Sequence, residues 1–136
     1  MKKHFFFLLI ISIFTACNQK KSPLAGVWKM QEVTINGSSV SFDDIGQPFI
    51  EFNNKGGYMI NMGGTKHGVR EKGTYELNDK ELTLTSEIKE KLPQKLMIEK
   101  ISEEEVKYYS KTDDNKMEVL LIRDLVKENQ LSRLTK

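Results

Sequence analysis

The chain has 136 residues, of which 38% are hydrophobic and 29% charged, and its formal net charge is +2. This length suits one domain with a small core. Lysines alternate with glutamates along the chain, so no basic stripe is present for a nucleic acid, which we exclude as a partner. With Cys17 as the one cysteine, the chain cannot form an intrachain disulfide.

The first seventeen residues have the three-part organisation of a secretory signal. Residues 1–4 are basic, residues 5–14 form an apolar segment, and the small residues Thr15 and Ala16 precede Cys17. The apolar segment is too short for a good membrane-spanning helix, which needs about 20 residues. We therefore predict that residues 1–16 are a signal peptide.

Phe14-Thr15-Ala16-Cys17 resembles the lipobox of bacterial lipoproteins, with Phe14 in the place usually held by an aliphatic residue. In that family the cysteine receives a diacylglyceryl group, the chain is cut before it, and the new amino group is acylated. The resemblance implies lipidation of Cys17 and a lipidated tether over residues 17–23. Two acyl chains suffice for stable anchoring, at roughly 0.8 kcal/mol per buried methylene. The alternative is an ordinary signal cut after Ala16, which leaves a free thiol.

Eight short runs of alternating apolar and polar residues follow, separated by turn signals such as Asn36-Gly37 and Asn78-Asp79. The dry face of such a sheet must be covered, and eight strands can cover it by closing on themselves. We predict an all-β fold, an eight-stranded antiparallel up-and-down β-barrel, within a domain over residues 24–123. The predicted strands are 27–35, 49–52, 58–62, 72–77, 81–85, 95–101, 106–111 and 116–123.

Two segments do not follow this pattern. Residues 38–47 are predicted to form either a short helical turn or a lid over one end of the barrel. Residues 124–136 are predicted to be a tail or a short C-terminal helix, because their apolar stripe is thin.

The segment Leu24-Ala25-Gly26-Val27-Trp28-Lys29-Met30 resembles the entry motif of lipocalin-like domains, a Gly-x-Trp at the start of the first strand. Residues 73–84, GTYELNDKELTL, are similar to the central hairpin of small lipocalin-like lipoproteins of Bacteroidetes. The resemblance covers residues 24–123 and implies a barrel closed at one end by Trp28. The alternative for Trp28 is an ordinary core aromatic.

The sequence offers no group of residues that indicates catalysis or metal binding. His67 is the one histidine beyond the signal segment, and no second histidine or free cysteine accompanies it. Asp43-Asp44 and residues 113–115 lack the ligand spacing of a calcium loop. We therefore predict a non-enzymatic protein with no metal and no cofactor.

The remaining candidate site is the barrel interior. An eight-stranded barrel is wide enough to be filled by its own side chains or to hold one small ligand. Buried tyrosine hydroxyls would need partners, which a partly wet pocket would supply. The residues predicted to line a ligand site are Trp28, Phe52, Tyr58, Ile60, Tyr75, Leu82, Leu84, Ile98, Val106 and Tyr108.

Two functions are consistent with these features. The first is a lipid-anchored lipoprotein of the bacterial cell envelope that binds a small hydrophobic or amphipathic ligand in the barrel. The alternative is a filled barrel that acts on an envelope protein partner, as an inhibitor or assembly accessory. Residues 18–22 contain no acid, unlike surface-exposed lipoproteins of Bacteroidetes. We therefore expect the domain to face the periplasm. Asn18 is not the aspartate that retains some lipoproteins of other bacteria at the inner membrane, so we expect attachment to the outer membrane.

Overall fold

The computed structural model describes residues 21–44, 46–63, 70–112 and 114–134. The predictions for the signal peptide, for Cys17 and for His67 lie outside these residues. The described ranges form nine strands and one helix. They are β1 (Gly26–Ile35), β2 (Ser38–Ser39), β3 (Phe49–Phe52), β4 (Gly57–Asn61), β5 (Arg70–Asn78), β6 (Glu81–Ser86), β7 (Gln94–Ile101), β8 (Glu105–Lys111), β9 (Lys116–Arg123) and α1 (Leu125–Leu134).

Strand β1 closes the sheet into a barrel, because it pairs with β3 on one side and with β9 on the other. The other barrel strands, β3 to β9, pair antiparallel with their neighbours in chain order. The predicted eight-stranded antiparallel up-and-down barrel is therefore confirmed. Closure gives every barrel strand two neighbours.

The short strand β2 is an addition that the sequence did not predict. Asn36 and Gly37 have φ values of 52° and 80°, as a two-residue type I′ turn requires, and the turn pairs Ile35 with Ser38. Two residues are too few to show an alternation, which explains why β2 was missed. The bounds of the eight predicted strands differ from the observed ones by no more than two residues.

The up-and-down order gives the barrel two distinct ends. The Trp28 end carries the start of β1, the turns after β3, β5 and β7, and the end of β9. The Phe42 end carries the 36–48 connection and the connections after β4, β6 and β8. At the latter end Phe42 packs against the core, and Met30 N donates to Pro48 O at 2.9 Å. Gly46 N also donates to Phe42 O at 2.9 Å, which forms a single turn within residues 38–47. A lid role for this segment stays a prediction.

Helix α1 begins at an acidic cap and lies against β1. The Asp124 carboxylate accepts a hydrogen bond from Lys127 N at 3.0 Å, as expected of an N-cap aspartate. The Lys127 ammonium lies 3.5 Å from the centroid of the Phe49 ring. The predicted C-terminal helix is thus present, and its thin apolar stripe explains why none of its residues is buried. Within the described ranges, no helix has the length and apolarity needed to span a membrane.

Candidate functional site

The inward-facing side chains of the eight barrel strands form one apolar cluster. All ten residues predicted to line a ligand site belong to it: nine are buried, and Ile60 is partly buried against the others. The structure therefore brings the predicted residues together inside the barrel. Binding of a ligand by these residues stays a prediction.

The cluster also contains buried residues that the predicted site left out. Met30 shares the inward face of β1 with Trp28, so the alternation could have found it. In β9 both faces are apolar, and alternation alone cannot choose the inward set. The further members are Leu24, Met30, Ile50, Leu96, Val119 and Leu121.

The Trp28 end of the barrel is sealed. Trp28 and Leu24 are fully buried, and the indole Nε1 of Trp28 donates to Leu24 O at 2.7 Å. The Arg123 guanidinium lies 5.1 Å from the Trp28 ring centroid and donates to Ala25 O at 2.8 Å. The Arg123 Nε also donates to Glu128 at 3.1 Å. Trp28 therefore occupies the closing position that the sequence resemblance implied.

Gly26 leaves the space that the Arg123–Glu128 pair occupies beside Trp28. Its φ is +142°, and a Cβ at this position would lie 2.5 Å from Arg123 Nη2 and 3.0 Å from Glu128 Oε2. A side chain at residue 26 would therefore push the Arg123–Glu128 pair away from Trp28. This steric requirement explains why a glycine stands two residues before Trp28 in the entry motif.

Burial of the interior decreases toward the Phe42 end. Four of the five apolar residues that are only partly buried against the core lie toward this end, and the fifth, Leu77, lies beside the β5–β6 turn. The four are Val33, Phe42, Ile60 and Met117. Exposed large apolar side chains also lie at the Phe42 end, on the last residue of β1 and on the connections, namely Ile35, Val40, Met62, Ile88 and Leu92. The interior thus approaches the surface at the end opposite Trp28.

A carboxylate lies on the inner wall near the Phe42 end. The Tyr58 hydroxyl donates to Glu71 Oε1 at 2.8 Å, and Lys91 Nζ, from the β6–β7 connection, lies 2.5 Å from Oε2. Burial opposes ionisation of Glu71, but the donors of Lys91 and Tyr58 outweigh it and lower the pKa of its carboxyl. Burial and the bond to Glu71 raise the pKa of Tyr58. The inner wall near the Phe42 end therefore carries a carboxylate that is paired with Lys91 and Tyr58.

The comparisons with known proteins agree with this geometry. Residues 24–119 match the family model of the lipocalin-like domain. The chain belongs to this family. The family's fold is typically a non-catalytic binding fold.

Two solved structures resemble this lipocalin-like domain. A lipocalin-like protein from Bacteroides uniformis ATCC 8492 is 16% identical, with a TM-score of 0.56, over 76% of this chain and 100% of the other. An uncharacterized protein from Bacteroides eggerthii DSM 20697 is also 16% identical, with a TM-score of 0.55, over 74% of this chain and 99% of the other. At this identity the likeness shows the fold alone. No curated protein matches the sequence.

A cleft of this lipocalin-like domain lies outside the barrel, at the Trp28 end. Its volume is about 930 Å³, and its walls come from the segment before β1, the β7–β8 turn, the end of β9 and α1. Apolar side chains such as Ile101 and Leu125 alternate there with charged ones such as Lys21 and Glu104. Within the described ranges, no group of three His, Cys, Asp or Glu residues is placed to hold a metal ion.

Proposed function

We propose that this lipocalin-like domain binds a small hydrophobic or amphipathic molecule inside the barrel, without catalysis. The observation that carries the proposal is the asymmetric closure of the interior. Trp28 and Arg123 seal one end, whereas Ile60 and Met117 near the other end remain partly exposed. An apolar cavity with few polar groups is the usual form of a small-molecule site.

The ion pair of Glu71 and Lys91 supports the amphipathic part of the proposal. It is the point at which the apolar wall meets charged groups, close to the Phe42 end. A molecule with its apolar part among the interior side chains would place a polar end near this pair. Lys91 comes from a connection rather than a strand, so it can move aside at little cost to the sheet.

A fluorescence experiment tests the binding site. In a soluble form of residues 18–136, Nile red should bind in the interior and its emission should shift to shorter wavelength. Ile60→Trp should weaken this binding more than about tenfold, because the larger ring fills an inward position. Leu92→Trp adds the same ring at a position 85% exposed and should leave binding unchanged. Equal effects of the two variants would contradict interior binding.

We further propose that Cys17 carries lipid and anchors the domain to the outer membrane, facing the periplasm. The support is the lipobox-like segment 14–17 and the absence of acidic residues at 18–22. From Cys17 to Lys21 the chain spans at most about 14 Å, even when extended. Lys21 lines the cleft at the Trp28 end, so the anchor would hold this end toward the membrane and the Phe42 end away from it.

A substitution in cells tests the anchor. Cys17→Ser should move the protein from the membrane fraction to the soluble fraction and abolish the mass increase expected of a lipidated chain. Lys21→Ser, in the tether, is the matched control and should leave the protein in the membrane fraction. Membrane association that survives Cys17→Ser would contradict lipid anchoring.

The cleft of about 930 Å³ favours a second candidate function, contact with an envelope protein at the Trp28 end. In this case the barrel interior is filled, and the partner binds the mixed apolar and charged walls around Ile101 and Leu125. Crosslinking in cells from a photoreactive residue at position 125 should capture one dominant partner. The same residue at position 92, at the opposite end, should capture none. Equal yields at both positions would exclude this candidate.

A further inference from the structure

The outer wall of the barrel carries a buried hydroxyl that lacks a hydrogen-bond partner. Thr34 Oγ1, on β1, is buried and has no partner in the described part of the chain. Val33 packs against the core, so its neighbours Glu32 and Thr34 lie on the outer face of the strand. Buried polar groups in native proteins are normally paired, so this hydroxyl requires an explanation.

Thr34 lines a cleft of about 250 Å³ on the outer face of β1, β9 and β8. Glu32 of β1 pairs with Leu120 of β9, which pairs with Lys107 of β8, and all three line the same cleft. Leu120 is partly buried and adds apolar surface between the charged side chains. Pockets for whole small molecules usually measure about 300–1,000 Å³. This cleft therefore has the size for one side chain of another protein.

The charges around this cleft leave one carboxylate unpaired. Three of the four acids there each lie 2.9–3.1 Å from the ammonium of one lysine, in the pairs Lys107–Glu99, Lys100–Glu105 and Lys116–Glu118. The fourth, Glu32, forms no ion pair within the described ranges. Glu99 is the main cause of the raised pKa of Lys107, and Glu32 contributes less. An uncompensated negative charge thus lies two residues from the unpaired hydroxyl of Thr34.

A cation with several hydrogen-bond donors would satisfy both groups. Residues two apart on a strand are separated by about 6.6 Å along it. A guanidinium presents N–H donors on several edges of one plane and can reach both Glu32 and Thr34, whereas an ammonium is a compact point charge. Thr34 Oγ1 has no hydrogen bond to lose, so a change of rotamer can turn it toward the guanidinium. The aliphatic stem of an arginine would lie on Leu120.

We propose that this cleft on β1, β9 and β8 is an interaction surface that receives an arginine side chain of a partner protein. The inference goes beyond the proposed function, because the cleft lies outside the barrel and shares no lining residue with the cleft at the Trp28 end. An arginine that inserts into a small cleft is a common centre of a protein–protein interface.

Three small probes test the choice of side chain, namely N-acetyl-arginine amide, its neutral analogue N-acetyl-citrulline amide, and N-acetyl-lysine amide. Their Kd values are measured from the shifts of backbone amide signals in NMR titrations of residues 18–136. The arginine probe should shift the amides of Thr34 and Leu120 and should bind at least about tenfold more tightly than the citrulline probe. It should bind at least about threefold more tightly than the lysine probe. Equal Kd values, or no saturable shift of these amides, would overturn the inference.

Substitutions at the two unpaired groups test where the arginine probe binds. Glu32→Gln should weaken its binding at least about threefold and Thr34→Val at least about twofold. The matched controls Glu76→Gln and Thr74→Val, at exposed positions of β5, should leave the Kd unchanged. Thr34→Val removes a hydroxyl without a protein partner, so its urea midpoint should equal or exceed that of wild type. A lower midpoint, or equal effects of the controls, would contradict the role of Thr34.

A crosslinking experiment with the full chain in cells tests the nature of the partner. Tyr109 lies beside the cleft, because it pairs with Glu118, which pairs with Thr34. A photoreactive phenylalanine derivative in place of Tyr109 should crosslink one other protein through an arginine-containing peptide, and Glu32→Gln should abolish this product. A product that consists of a second copy of this chain, or that survives Glu32→Gln, would refute the proposed partner.

Discussion

Arg123 joins three separate parts of the chain at the Trp28 end, so replacing it tests how the barrel is sealed. Its side chain is 17% exposed and donates to Ala25 O at 2.8 Å and to Glu103 O at 3.2 Å. Its guanidinium also pairs with Glu128 and lies 5.1 Å from the Trp28 ring centroid. No other described side chain makes all of these contacts.

The substitution Arg123→Met retains an aliphatic stem and removes the guanidinium. It leaves the carbonyl of buried Ala25 without a donor, at about 1–3 kcal/mol. Loss of the cation–π contact with Trp28 costs about 0.5–2 kcal/mol, and the half-exposed Glu128 pair adds at most about 1 kcal/mol. These contributions share one side chain and do not add fully, so we expect the free energy of unfolding to fall by about 2–4 kcal/mol.

Urea denaturation of residues 18–136, followed by the fluorescence of the single tryptophan and by circular dichroism, measures this loss. Arg123→Lys keeps the charge without the planar fork and should lose roughly half as much. Arg133→Met makes the same change at an exposed position of α1 and should stay within about 0.5 kcal/mol of wild type. Stability of Arg123→Met within that same margin would refute the claim that Arg123 holds the sealed end.

The remaining predictions concern Glu71 and Gly73. Because Lys91 and Tyr58 lower the pKa of folded Glu71 below 4.5, wild type should exceed Glu71→Gln in stability above this pH, and the difference should vanish as pH falls through the folded pKa. A difference in urea midpoint that persists unchanged at roughly pH 2.5 would contradict this linkage. Gly73→Ala would place a Cβ 2.0 Å from Thr85 O and should cost more than about 2 kcal/mol. A Cβ at residue 37 would have no atom within 4 Å, so Gly37→Ala should cost only about 1 kcal/mol, which comes from the φ of +80° at this position. Equal losses by urea denaturation would count against the steric argument.

The strands could be predicted because alternation has a period of two, and each run is bounded by turn residues. The inward positions of Tyr75 and Leu82 follow from this alternation alone. The alternation did not predict that Glu71 faces the interior. In sequence, a carboxylate at an inward position looks the same as a polar residue just before a strand. The predicted strand therefore began at residue 72, whereas β5 begins at Arg70.

The seal at the Trp28 end could be expected in part. The Gly-x-Trp segment indicated where Trp28 lies, but it carries no information about Arg123, which follows 95 residues later in the chain. The Arg123 contacts depend on barrel closure, which brings β9 beside β1.

The most direct test of interior binding is native mass spectrometry of the full chain purified from its own cells. We predict an additional mass on the folded protein that is released on denaturation, corresponds to a small hydrophobic or amphipathic molecule, and is absent from Ile60→Trp. Lipid on Cys17 would instead persist after denaturation, so the two masses are distinguishable. Identical masses for the folded and the denatured wild-type protein would contradict the account.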